Sequence, residues 1–248
     1  ETQPCALMTV SAAGLLPGKN DLEKLSIKNE TANDVVIIDA AQQLYFKSTW
    51  IQGPLNPSSS ITGSGNNKAC IRIEQSVSEI SDLIFIEDSD FSDQDFAIFA
   101  AKPIQNLMVL GGHFKHLYRG VDVGQIVTDI ENIKVTHSLF ENIFAEGFIA
   151  QNGVEGCVSA FNTYRNVGNG ISQIDGVGVF SNVIKFTGHN SYSIGDTFGR
   201  SEDASIPSID LSGKESYALR NNGKLQLGLS STVGGRLYTL AELQTAVS

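Results

Sequence analysis

Apolar positions along this chain return at a long, nearly constant interval and not at the short period of a helix. Ile80, Ile104, Ile130 and Val154 open four successive stretches. Leu83, Leu107, Ile133 and Cys157 follow three residues later, and Phe85, Val109, Val135 and Ser159 two after that. The openings lie 24, 26 and 24 residues apart, and a fifth stretch opens 23 residues further on at Val177. A second register runs alongside. Phe91, Phe114, Phe140 and Tyr164 are spaced by 23, 26 and 24 residues, and two positions after them come the polar Asp93, His116, Asn142 and Asn166. Leu117, Ile143 and Val167 continue this register, and Asp129, Asn152 and Asp175 make a third.

Alternation inside the units, as in Ile133-Lys134-Val135, predicts short β-strands. Three such strands per unit make one circuit of a three-sided parallel β-helix, an all-β fold. Each strand then pairs with its equivalent one circuit later, about 4.7–4.9 Å away. Like side chains stack into columns and together bury a core that no unit could bury alone. Asn, Asp and Gly mark the corners, where φ turns positive or a side chain must bond the backbone. A leucine-rich repeat would need a dominant leucine pattern, a helical repeat a 3.6-residue period, and a sandwich strands at 8–12-residue spacing without the same side chains returning.

The regular part covers residues 69–198. Residues 1–68 read as an N-terminal entry region, with a short helix or strand at Asp21–Lys28, a buried strand at Val35–Ile38 and an exposed Gly/Pro/Ser/Asn-rich excursion at Gln52–Asn67. Residues 199–248 read as a small β-rich C-terminal cap or tip. Within them, Ser216–Ser230 predicts a hairpin turning at Asn221-Asn222-Gly223, and Leu237–Val247 a short helix.

Composition narrows the function classes. The 248 residues hold 17 Lys+Arg against 27 Asp+Glu, for a net charge of −10 with no basic run. That argues against binding along a nucleic-acid backbone or on anionic lipid. No run of 18 apolar residues exists, so no helix is expected to insert in a membrane. The start, Glu1-Thr2-Gln3-Pro4, reads as a cut made in a longer protein or as a processed terminus. Three widely spaced cysteines, Cys5, Cys70 and Cys157, read as reduced, mostly buried thiols.

The units Asn132-Ile133-Lys134-Val135 and Phe140-x-Asn142-Ile143 resemble the right-handed parallel β-helix of the pectin-lyase-like superfamily. A β-helix followed by a small β-rich C-terminal region resembles a bacteriophage tailspike or tail-fibre segment. That resemblance implies a place in the virion tail, a homotrimer, contacts with other tail proteins, and a host-surface glycan or protein as receptor. The superfamily also contains polysaccharide lyases and hydrolases, and similar folds serve as bacterial surface adhesins. Fold alone does not choose among them. The short stack favours a non-enzymatic structural and receptor-binding segment over a polysaccharide-degrading enzyme.

Candidate chemistry is sparse. Glycoside hydrolysis needs two carboxyl groups about 5–9.5 Å apart, and the acids to consider are Asp88 and Asp90, in the run Glu87–Asp95, with Glu141 and Glu146. All four sit near expected corners, where solvated charge is the ordinary reading. An EF-hand match from Asp88 fails, because Asp93 and Phe99 stand where Gly and Glu are required. His113, His116, His137 and His189 lack a completing ligand set, so no metal or other cofactor is expected. Nucleophile and phosphate-loop motifs are absent, and Gly176-Val177-Gly178 reads as a corner. Trp50, Tyr118 and Tyr192 are the aromatics to consider for stacking on sugar rings.

Overall fold

A computed structural model describes residues 8–10, 20–30, 33–39, 42–54, 68–74, 81–100, 102–124, 130–151, 153–168, 181–199, 208–212, 216–219, 221 and 225–227. The expected third register, the glycine corner at 176–178 and the helix at 237–247 fall outside these residues. Every described element is a β-strand, and every strand pairing is parallel, so the chain is a parallel β-solenoid. Among the described residues no helix is long and apolar enough to cross a membrane.

The ladders sort into three columns. One stacks Asn20–Glu23, Gln42–Lys47, Ser81–Glu87, Ile104–Leu110, Ile130–Thr136, Val158–Ala160, Tyr192–Ile194 and Tyr217–Leu219. The second begins with Ser26–Lys28 and Trp50–Gln52 and ends with Thr163–Val167 and Thr197–Gly199. The third runs from Met8–Val10 to Leu225–Leu227. Two long strands, Asp90–Ala100 and His113–Val123, serve the second column with their first halves and the third with their second halves.

Left-handed residues separate the columns and also lie in ladders. Asp93, His116, Asn142 and Asn166, expected at a turn, have φ of 60°, 53°, 53° and 55°. Between the first and second columns a row of Ser48, Asp88, Gly111, His137, Phe161 and Gly195 has φ between 46° and 69°. One such residue per rung reverses which face the next side chain meets and so turns the strand direction.

Inward residues form the core. Ile51, Phe91, Phe114, Phe140 and Tyr164 are buried one above another. The rings from Phe91 to Phe198 stack at centroid distances of 5.2, 4.4, 4.6 and 5.3 Å, with interplanar angles of 18° or less. Leu117, Ile143 and Val167 are likewise buried in one ladder.

Two expectations are corrected. In the first unit the register is displaced by one: Ile104, Leu107 and Val109 pair with Ser81, Ile84 and Ile86, not with Ile80, Leu83 and Phe85. Leu83 sits at φ 47° and Phe85 points outward, packing on Tyr45 at 5.7 Å. Among the described residues the arms expected of a hairpin about Asn221 do not pair with each other: Tyr217–Leu219 pairs with Tyr192–Ile194, and Leu225–Leu227 with Ile209–Leu211, both in parallel. The same ladders carry the stack past residue 198, and strands before residue 69 carry it the other way. Within Asp21–Lys28, read as a helix or a strand, the chain forms strands.

Candidate functional site

Two positions before Phe91, Phe140, Tyr164 and Phe198, and likewise before Ile51, the chain places a small polar side chain at the inner corner; before Phe114 that position is Gly112. Thr49, Ser89, Ser138, Asn162 and Asp196 are all buried. They satisfy the backbone groups that the bend leaves unpaired. Ser89 Oγ accepts from Thr49 N at 3.2 Å, Ser138 Oγ from Gly112 N at 3.0 Å, Asn162 Oδ1 from Ser138 N at 2.8 Å, and Asp196 Oδ1 from Asn162 N at 2.8 Å. Asn221 Oδ1 continues the ladder by accepting from Asp196 N at 2.7 Å. This is the role of the residue expected to turn a hairpin.

The last rungs close a dense network. Ser159 Oγ donates to Asp196 Oδ2 at 2.8 Å and accepts from Asn162 Nδ2 at 2.9 Å. A hydroxyl has one hydrogen, so the Tyr164 hydroxyl 2.8 Å away donates to Ser159. Ser193 Oγ adds a bond to Asp196 Oδ2 at 2.7 Å. Burial pushes the Asp196 carboxyl above its ordinary value, although Ser193, Asn162 and Ser159 donate to it. Burial, reinforced by the nearby Asp196 charge, drives the Tyr164 hydroxyl well above its usual range. This network is structural: Asp196 is only 1% exposed.

Of the acids considered for catalysis, Asp90 and Glu141 lie on the outside. Asp90 Oδ1 meets His113 Nδ1 at 3.0 Å, His113 Nε2 meets Glu141 Oε2 at 3.2 Å, and Glu141 Oε1 meets an Arg165 nitrogen at 3.2 Å. The four make one ladder up the outer face of the second column. Burial opposes the Glu141 charge, but the hydrogen bonds from His113 and Arg165 outweigh it and hold the carboxyl below its ordinary value. Glu146 lies elsewhere. Arg119 Nε donates to Glu146 Oε2 at 2.7 Å and its terminal nitrogen to Asp122 Oδ2 at 2.8 Å, with both carboxylates buried. Burial disfavours the Arg119 charge, yet Glu146 and Asp122 more than offset it and raise its pKa. Asp88 is exposed at the left-handed corner and touches neither group of ion pairs in the described contacts.

The remaining run of acids is also partnered: Glu87 by Lys47 at 3.0 Å, Asp93 by His116 at 3.4 Å and Gln52 at 2.7 Å, and Asp95 by Lys68 N at 3.2 Å. His113 and His116 share no partner among these contacts. No group of three or more His, Cys, Asp or Glu side chains able to hold a metal occurs among the described residues. Cys70 and Cys157 are free thiols whose burial pushes their pKa values up.

The aromatic candidates divide. Trp50 is 41% exposed, directly below Asp90 in register. Tyr118 is half-buried, with Phe144 stacked on it at 5.6 Å, Phe96 edge-on at 6.4 Å and the Arg119 guanidinium at 5.3 Å. Tyr192 is half-buried, its backbone in register with Val158 and Tyr217. Sequence reasoning passed over Phe161, the most exposed large apolar side chain among the described residues at 56%. It also passed over the inner polar ladder, although Ser89, Ser138 and Asn162 recur with the spacing of the rings two positions on. No family model, curated protein or solved structure matches this chain; the fold stands as a parallel β-solenoid on its own register.

Proposed function

We propose that this chain is a non-enzymatic structural and receptor-binding segment of a phage tail fibre or tailspike. In this reading it is a right-handed, pectin-lyase-like β-helix, homotrimeric in the virion tail and joined to other tail proteins. The solenoid is a stiff spacer that holds corners and outer faces towards a host-surface glycan or protein. One observation carries the non-enzymatic part. Glycosidases keep one carboxylic acid protonated by raising its pKa, whereas Glu141 is held down by His113 and Arg165 and Glu146 is tied to Arg119. Of the two acids among the described residues whose pKa burial raises, Asp196 faces the interior, where no glycan enters, and the half-buried Asp210 lies in register with Lys185, whose charge pulls it back down. The mutual support of stacked rings and polar corners supplies the stiffness that a spacer needs.

The test is incubation with purified capsular and lipopolysaccharide glycans. Retention without new reducing ends or unsaturated products is the expected result. Product release that disappears in Asp88→Asn or Glu141→Gln would overturn the reading in favour of a polysaccharide-degrading enzyme. Light scattering at micromolar concentration should give the mass of a trimer, and a stable monomer contradicts that part.

A further inference from the structure

The outer corner between the first and second columns carries a feature that folding does not require. Phe161 sits at φ 56°, a conformation that costs a bulky residue energy and that Gly or Asn adopts more readily. Its neighbours in the same row include Gly111 and Gly195, which take the same conformation without that cost. Despite the strain the phenyl ring gains little burial, remaining 56% exposed. Backbone strain spent on an exposed aromatic points to use of that ring.

Its surroundings are arranged to present it. The registers place His137, Phe161 and Gly195 on successive rungs. The His137 ring lies 5.4 Å from the Phe161 ring at an angle of 32°. On the other side, a Cβ added to Gly195 would come within 2.7 Å of the phenyl ring, so the ring lies over a bare stretch of backbone. Asp88 repeats the device lower in the row: a Cβ on Gly111 would meet its Oδ1 at 2.5 Å. A carboxylate, an imidazole and a phenyl ring therefore lie in order up an exposed edge, Asp88 two rungs from His137 across Gly111 and His137 one rung from Phe161, at about 4.8 Å per rung. A pyranose offers complementary chemistry, with an apolar C–H face for the ring and hydroxyls for the carboxylate and imidazole.

We propose that Phe161, with His137 and Asp88, forms a contact site for a short saccharide segment lying along this edge, one sugar ring stacked on the phenyl group. This inference rests on the receptor-binding reading and names its ligand class and its residues. Asp88 acts here as a hydrogen-bond acceptor, not as a catalyst.

The experiment titrates the full chain with a panel of purified bacterial O-antigen and capsular oligosaccharides and follows binding by calorimetry. Phe161→Ala and Asp88→Asn are compared with Tyr118→Ala, and circular dichroism and Tm check that each variant is folded. At least one oligosaccharide should bind, tenfold or more weakly in Phe161→Ala, several-fold more weakly in Asp88→Asn, and equally in Tyr118→Ala. Binding that survives Phe161→Ala overturns the site while leaving glycan recognition standing. Binding to none of the panel overturns both the site and the glycan reading. Loss of self-association in Phe161→Ala, with no glycan effect, would instead assign the ring to contacts between copies.

Discussion

Two inner stacks stand two residues apart on the same rungs and hold the solenoid by different physics. The ring stack from Phe91 to Phe198 gains from area removed from water and from dispersion between nearly parallel faces. The polar ladder from Thr49 to Asn221 gains little from burial. Its work is to give each bent backbone a partner, which makes its members costly to remove and nearly worthless alone. The comparison shows that in a solenoid the sides supply the stabilising area, while the corners supply the requirement that decides where the chain turns.

The largest expected effect comes from the ring stack. Phe140 lies between Phe114 and Tyr164, at 4.4 and 4.6 Å, so Phe140→Ala removes both contacts and leaves a cavity. Urea unfolding should show a loss of about 3–5 kcal/mol. Asn162→Ala strips the partners from Ser138 N and the Val135 carbonyl and should cost about 2–3 kcal/mol. A loss below that of an exposed substitution would mean the ladder is decorative.

Asp196→Asn sharpens the contrast through pH. The Asp196 carboxyl titrates higher in the folded chain than in the unfolded one. Its contribution is therefore fully present below the unfolded value of about 3.9 and is lost as pH rises through the folded value. Relative to Asp196→Asn, the native chain should gain stability on acidification across that window. An identical pH profile in the two proteins would contradict the buried-acid account.

Smallest of all is the outer ladder. Arg165 is largely exposed, its side chain 63% accessible, and solvent screens its pair with Glu141. Arg165→Ala should change stability by about 0–1 kcal/mol, less at high salt. Its outer face has the same vertical order as the inner stacks without their energetic weight.

The ring stack was legible because Phe and Tyr are few and large, and their 23-, 26- and 24-residue spacings admit one alignment. The adjacent strand misled by one residue in its first unit. Leu83 and Phe85 have the right chemistry for the core, but a left-handed backbone at Leu83 puts Ile84 and Ile86 inside instead. Asn221 misled differently, since a residue suited to a hairpin turn is equally suited to cap a solenoid corner. The corner ladder went unread because Ser, Thr, Asn and Asp are common on surfaces, and only partners one rung away, not residue type, reveal their burial. Phe161 carried no sequence signal beyond hydrophobicity; its φ and its exposure exist only in three dimensions.

Vertical adjacency is tested most directly by cross-linking on the outer face. Leu139 and Thr163 are partners on neighbouring rungs, and Thr197 lies one rung further. Under mild oxidation Leu139→Cys with Thr163→Cys should form a disulfide in the folded protein, because adjacent strands bring the Cα atoms within the usual 4.4–6.8 Å. Leu139→Cys with Thr197→Cys should stay reduced. Equal cross-linking of both pairs, or cross-linking of the second alone, would contradict the stack.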